Sequence, residues 1–385
     1  MNRRTLVSAI AGAALALAGA GADVFIHYNS SAGPAEDTAA EVRALGRRAA
    51  VGSANLSDPR SAAQEYTFKL HHLLGAKSPA QVNMLEPWVK QVEENSGGRV
   101  KIEIFPAMTL GGTPPELVQQ ARDGVVDIVW TVNGYTPGQF PRTEVFELPG
   151  VYLNDVKAAN LAMYDMFDDY LADDYQGLEV MWLHVHAGQG IMTVDKEVRS
   201  PADMEGMKIR IPTRTGAWVI EALGAQPIAM PVPEVPSALS KKVVDATLLP
   251  WEIIPPLKLQ NQIDYFIEGH DRTRLGTTTF QVSMNQARWD GLPDDIKQAF
   301  RDASGRDWWS KVAEVWRGGD DFGIKMATDA GKTHIVLGEN ETQAFMDALA
   351  PVQQRWIDEV NGKGLDGAGL VARAKELISA NAGGM

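Results

Sequence analysis

Between Met207 and Glu252 the hydrophobic pattern switches repeatedly between a period of two and a period near 3.6. Ile209 and Ile211 alternate with Lys208 and Arg210, as in a half-buried strand, and Pro212 stops the run. Thr213 or Thr215 can cap a helix whose apolar face is Trp218, Val219, Ala222 and Leu223, with Gly224 at its end. Ile228 to Val232 predicts a second strand, Glu234 to Ser240 a short helix, and Val243 to Leu249 a third strand. Strands that alternate with helices predict an α/β fold with parallel sheets. The same alternation runs upstream: strands at Tyr66 to Leu74, Val100 to Phe105 and Asp127 to Val132, with helices starting at Ser78-Pro79 and spanning Glu116 to Asp123. Leu85, Val89 and Val92 put an apolar stripe on the first of those helices, and Gly97-Gly98 ends it. Downstream, Gly177 to His186 and Thr277 to Met284 predict strands, and the latter is expected to rejoin the first half of the chain. One long helix is predicted from Pro293 through Trp316, followed by helices at Glu341 to Asn361 and Gly369 to Ala380.

The first 63 residues read differently. Arg3 and Arg4 precede the apolar run Leu6 to Ala20, and Ala20-Gly21-Ala22 has the small-residue spacing of a signal-peptidase site, so residues 1–22 are expected to be an export signal. The run is short for a membrane span, and no later stretch of that length is uniformly apolar. Residues 20–60 predict strand, helix, strand. With the polar turn Asn29-Ser30-Ser31 and the Asn55 to Asp58 run, they resemble a fragment of a short-chain dehydrogenase. The glycine-rich phosphate turn of such an enzyme is missing, and so is its Tyr-x-x-x-Lys pair with a preceding serine. Residues 23–63 are therefore expected to be anomalous and non-functional, with an NAD(P)-dependent oxidoreductase as the alternative function that the resemblance would imply.

The chain has 385 residues, enough for two domains, and 45% of them are hydrophobic. A net charge of −13 argues against a nucleic-acid surface. With no cysteine, disulfides, zinc–thiolate sites and thiol nucleophiles are excluded. There is no Gly-x-Ser-x-Gly elbow of a hydrolase and no nucleotide-binding P-loop. What remains points to binding. Arg210 and Arg214 flank a strand end, where ligands of open α/β sheets sit, and a guanidinium fork suits a carboxylate. Asn133 and Tyr135 belong to a glycine-containing loop after the Asp127 to Val132 strand, which itself carries Trp130. His72, Trp130, Asn133 and Tyr135 are candidate ligand contacts. Glu252 is a candidate acceptor for a ligand hydroxyl or a holder of a cation. His184 and His186 share one strand face, but with no third ligand in sight the pair reads as structural hydrogen bonding, and no metal or cofactor is expected.

The Met207 to Glu252 stretch resembles the signature region of the solute-binding subunits of tripartite ATP-independent periplasmic (TRAP) transporters. The Lys-x-Arg-x-Pro at Lys208 to Pro212 carries the resemblance, with Gly224 to Pro227, Glu234-Val235 and Val244-Asp245. So do the run Ser96 to Gly112 (SGGRVKIEIFPAMTLGG) and Asp123 to Ile128. It covers about residue 66 to the C-terminus. The resemblance implies a two-lobed periplasmic-binding-protein fold with a sheet in each lobe and a long lobe-spanning helix. Lobe 1 would comprise 66–187 plus about 276–316, and lobe 2 188–275 plus about 317–385. It implies that Arg210 holds the carboxylate of a small organic acid (2-oxo, hydroxy or aromatic) and that Trp251 walls the pocket. It also implies delivery to membrane permease subunits from the periplasm, without catalysis. Relatives place a polar or basic residue near Gln189 to assist the arginine. The lack of an arginine there disfavours ligands that need two guanidinium groups, such as sialic acids, and Leu249 implies a less polar pocket.

Overall fold

The computed structural model describes residues 14–15, 18–20, 24–28, 32–53 and 65–382. Most of the predicted export signal, the turn Asn29 to Ser31 and the run Asn55 to Asp58 lie outside the described residues. The chain divides into two compact units, one of Met1–Thr67 with Glu93–Lys101, the other of Phe68–Val92 with Ile102–Met385. In the first, strands β1 (Val24–Tyr28) and β2 (Ala49–Ser53) pair in parallel and helix α1 (Ala32–Ala44) connects them, as predicted. Ile26, Ala35 and Ala39 make its small core.

The remaining strands are β3 (Tyr66–His72), β4 (Val100–Phe105), β5 (Ile128–Val132), β6 (Leu178–Val185), β7 (Gly190–Thr193), β8 (Lys208–Ile211), β9 (Gln226–Ala229), β10 (Ala246–Leu249), β11 (Tyr265–Glu268), β12 (Thr279–Asn285) and β13 (Thr333–Val336). They form two sheets. One is ordered β4-β3-β5-β12-β6, the other β13-β11-β7-β10-β8-β9. Each sheet is mixed rather than all-parallel, contrary to the expectation. β12 runs antiparallel to both β5 and β6, and β7 antiparallel to both β10 and β11. The reason is connection length: β7 and β12 each enter their sheet directly from the other one, with no helical crossover to turn the chain round. The fold is two-lobed, with one sheet per lobe.

The longer helices that follow β3 are α2 (Glu86–Asn95), α3 (Val156–Met166), α4 (Arg214–Ala222), α5 (Asp294–Ala303), α6 (Arg306–Asp329), α7 (Glu339–Asn361) and α8 (Gly367–Asn381). Thr213 caps α4, its Oγ1 accepting from the Gly216 N–H at 3.1 Å. The single helix predicted from Pro293 through Trp316 is two helices. Ser304 and Gly305 break it: the Ser304 carbonyl accepts from the Trp309 indole at 3.0 Å, the Ser304 hydroxyl from that of Trp88 at 3.0 Å, and Gly305 is extended. α6 is the helix that spans the lobes. Near its start Asn160 of α3 donates to the Trp309 carbonyl, and further on Asp320 accepts from the Trp251 backbone in the other lobe. Gly319 and Gly323 keep one face of α6 flat where the Trp251-Glu252 turn crosses it, since a Cβ at Gly323 would overlap the Trp251 carbonyl. α7 packs on α4, and α8 on α3. Among the described residues no helix is long and apolar enough to cross a membrane.

Candidate functional site

Arg210 on β8 is 1% exposed. Its Nε donates to the Met230 carbonyl at 3.0 Å and its Nη1 to the Leu248 carbonyl at 3.2 Å, while Nη2 has no partner within hydrogen-bond distance, although the neighbouring Tyr135 hydroxyl favours the guanidinium charge. Arg210 makes no ion pair with a carboxylate among the described residues. Burial lowers the guanidinium below the ordinary arginine range, because the charge has left water without gaining a close counter-ion. The side chain lines a cavity with about 440 Å³ of atom-free space, counting its part open to solvent. The lining comes from both lobes: Trp130, Val132, Tyr135 and Phe280 from one, Pro212, Val232, Leu249 and Glu252 from the other, with Trp316 of α6 between.

Trp130, Tyr135, Phe280 and Trp316 make part of the wall aromatic, and most of the rest is aliphatic. Trp130 stacks on Phe280 with ring centroids 5.6 Å apart, and Trp316 lies 5.5 Å from Phe280. His184 is stacked among them, 4.6 Å from Phe280. Both its ring nitrogens are committed: Nε2 accepts from the Trp130 indole at 2.9 Å and Nδ1–H donates to the Val185 carbonyl at 3.3 Å. Burial pushes its pKa down to about 3. His186, which faces the cavity, accepts the Gly188 N–H on Nδ1, and burial holds it neutral, well below the usual histidine range. Among the described residues no group of three or more metal-ligating side chains is placed to hold an ion.

The structure brings Trp130, Tyr135, Gln189, Arg210 and Glu252 to this one cavity and leaves the other candidates out of it. Arg214, four positions from Arg210, turns away and forms ion pairs with Glu144 and Glu359. Trp251, expected as a wall, is fully buried on the far side of its turn. It stacks on Phe266 at 5.1 Å under the Arg274 guanidinium, and its neighbours Pro250, Glu252 and Ile253 take the cavity face. Asn133 spends its amide on Tyr175, Thr279 and Gln281. His72 donates to Gln81, packs edge-on against Trp130, and is held neutral by burial with a pKa of about 4, so it supports the wall from behind. Sequence reasoning missed Phe280, His186, Thr278 and Trp316. The available signal was periodicity: Thr278 and Phe280 are two apart in the strand predicted from Thr277 to Met284, and Trp316 follows Val312 by one helical turn.

The sequence profile described as "Bacterial extracellular solute-binding protein, family 7" matches residues 70–359. The chain belongs to this family. The fold is similar to a TRAP solute-binding protein of Rhodoferax ferrireducens crystallised with copurified benzoate, with a TM-score of 0.80, 36% identity, and coverage of 82% of this chain and 98% of that one. It is also similar to a marine metagenome TRAP solute-binding protein in complex with 3-hydroxybenzoate, with a TM-score of 0.80, 39% identity, and coverage of 83% of this chain and 99% of that one. In sequence, it is 25% identical over 292 residues to the C4-dicarboxylate-binding periplasmic protein of Vibrio cholerae, covering 74% of this chain and 84% of that protein. The solute-binding protein is thus an extracytoplasmic, TRAP-type component. The dehydrogenase resemblance of residues 20–60 is not borne out, and the oxidoreductase alternative finds no support in these matches.

In this solute-binding protein further contacts join the lobes. Arg214 joins Glu144 across the seam with its Nε at 2.7 Å, and Thr215 donates to Glu147 at 2.6 Å. Burial opposes the Arg214 charge, yet the Glu144 and Glu359 carboxylates hold its pKa above the ordinary range. Tyr135 accepts from the Val232 N–H at 2.9 Å. Glu147 also accepts from the Thr279 N–H and hydroxyl, at 3.0 and 2.8 Å. Burial first, and then the Glu144 charge, push its pKa up to about 7. A carboxyl whose folded pKa is raised binds protons that the unfolded chain has already lost, so its contribution to stability falls as pH rises from about 4.5 to 7. Glu147→Gln removes that titration. Its melting temperature relative to wild type should rise through this window, by the equivalent of roughly 2–3 kcal/mol. Calorimetric melting of both proteins from pH 4.5 to 8 measures this, and a pH-independent difference would contradict it.

Proposed function

We propose that the protein captures a small aromatic monocarboxylate between its lobes, with Arg210 taking the carboxylate, and presents it unaltered to TRAP permease subunits. The observation that carries this reading is the unpartnered Nη2 of a fully buried arginine on a cavity with Trp130 and Phe280 in its wall. A bound carboxylate supplies the missing counter-ion and acceptor together, so the desolvation cost of the guanidinium is offset only when ligand is present. Glu252, the carboxyl group on the cavity, is pushed well above the carboxylate range by burial and then by the Asp320 charge, which disfavours a second anion there. Stacked Trp130 and Phe280 suit a flat apolar body. Benzoate and 3-hydroxybenzoate in the similar structures support the same ligand class.

The chain passes between the sheets at residues 186–189 and 269–278 and along α6, an arrangement that favours hinge closure. We place lobe 1 at 66–187 with about 276–316 and lobe 2 at 188–275 with about 317–366. The packing of α8 on α3 favours assigning α8 to lobe 1 rather than to lobe 2. Among benzoate, 3-hydroxybenzoate, mandelate, succinate and glucuronate, the aromatic acids are expected to raise the melting temperature by about 5 °C or more at a hundredfold excess over Kd. Mass spectrometry should recover them unchanged. Stabilisation by succinate or glucuronate alone, or conversion of the ligand, would overturn the proposal.

A further inference from the structure

Besides the Arg210 arm and the Trp316 indole N–H, two buried polar atoms on the cavity residues lack partners: Gln189 Oε1 and Glu252 Oε2. Neither is needed to neutralise a carboxylate. We propose that Gln189 and Glu252 together read a hydroxyl group, so that the cavity selects hydroxylated aromatic monocarboxylates over their unsubstituted parents. This rests on the carboxylate reading above and adds a second recognition element to it.

The orientation of Gln189 is fixed by chemistry. Its Nε2 lies 3.3 Å from the Thr277 carbonyl and 2.8 Å from the Thr278 hydroxyl. A carbonyl only accepts, so the nitrogen belongs there and the oxygen is the atom left over. Gln189 thus offers an acceptor and has no donor to spare for a carboxylate. Glu252 is held in place by α6, where Gly319 lets its Cβ approach the helix closely. Burial and then the Asp320 carboxylate, partly opposed by Arg274, favour the protonated form of Glu252, and a protonated acid has one O–H to donate. An acceptor and a donor on one cavity match a hydroxyl, which donates once and accepts as well. A C–H bond does neither and leaves both atoms unpaired. Sites built to hydrogen-bond a hydroxyl discriminate against the analogue lacking it far more strongly than apolar pockets discriminate a methylene.

Isothermal titration of the full chain with benzoate, 3-hydroxybenzoate and 4-hydroxybenzoate tests this. At least one hydroxybenzoate should bind about tenfold or more tightly than benzoate. Gln189 also borders a smaller cavity behind it, so Gln189→Leu and Glu252→Leu are measured separately. Each should reduce the preference to within about threefold, with circular dichroism showing that the variant folds. Equal wild-type affinities for benzoate and the hydroxybenzoates would overturn the hydroxyl inference and leave the carboxylate reading standing, as would variants that keep the full preference. Failure of all three acids to bind would overturn both.

Discussion

Arg210→Ala should weaken binding of the cognate acid by about two to three orders of magnitude while the protein stays folded. Truncating one partner of a desolvated charge pair typically costs on the order of 2–5 kcal/mol, and each 1.4 kcal/mol is a factor of ten. The fold survives because the substitution also removes a buried charge that no close carboxylate balances. Its structural loss is two donors, those to the Met230 and Leu248 carbonyls, at about 1–3 kcal/mol each before water enters the space. Arg210→Lys should fall between, since an ammonium is a point charge and cannot hold those two carbonyls and a carboxylate at once. Titration calorimetry with benzoate, alongside circular dichroism, measures both. Unchanged affinity in a folded variant would remove Arg210 from the site.

Gly134→Ala should weaken ligand binding by up to about a hundredfold with little change in the melting temperature of the unliganded protein. Gly134 follows β5 in one lobe and faces Thr213, which follows β8 in the other. An added Cβ would overlap the Thr213 methyl and sit 2.7 Å from its Cβ. Thr213 cannot swing away cheaply, because its hydroxyl caps α4 and bonds Thr215 at 2.7 Å. The backbone at Gly134 is not in the left-handed region, so the penalty is this contact and falls on closure. Overpacking of this kind costs typically 1–3 kcal/mol. Thr213→Ser keeps the cap and removes the methyl, so the double variant should recover part of the affinity. Affinity indistinguishable from wild type would show that the lobes do not need this approach.

Much of the architecture was legible from periodicity, since alternation of two and 3.6 depends only on which residues are buried. β8, the Thr213 cap and α4 follow from seven or eight side chains. Strand direction was not legible: whether β7 and β12 run with or against their neighbours depends on where the chain crosses between lobes, which local pattern does not encode. Nor was the Ser304-Gly305 break, which depends on two indoles from elsewhere claiming the Ser304 oxygens. In the site, Arg210 was readable from its place near a strand end and from the Lys-x-Arg-x-Pro resemblance, whereas alternation alone would put it on the exposed face of β8. Arg214 and Trp251 were misplaced because they lie in a helix start and a tight turn. There one position rotates a side chain from cavity to interior, and both found partners distant in sequence. Phe280 and Trp316 read as ordinary core because pattern shows that a face is buried and is silent on whether protein or ligand covers it.

The claim on which the rest depends is that one arm of Arg210 awaits a carboxylate, and a crystal structure with benzoate bound examines it directly. The carboxylate should lie between the lobes with an oxygen about 2.8 Å from Arg210 Nη2 and the ring against Trp130 and Phe280. Benzoate density elsewhere, or in the cavity with its carboxylate turned away from Arg210, would contradict the account.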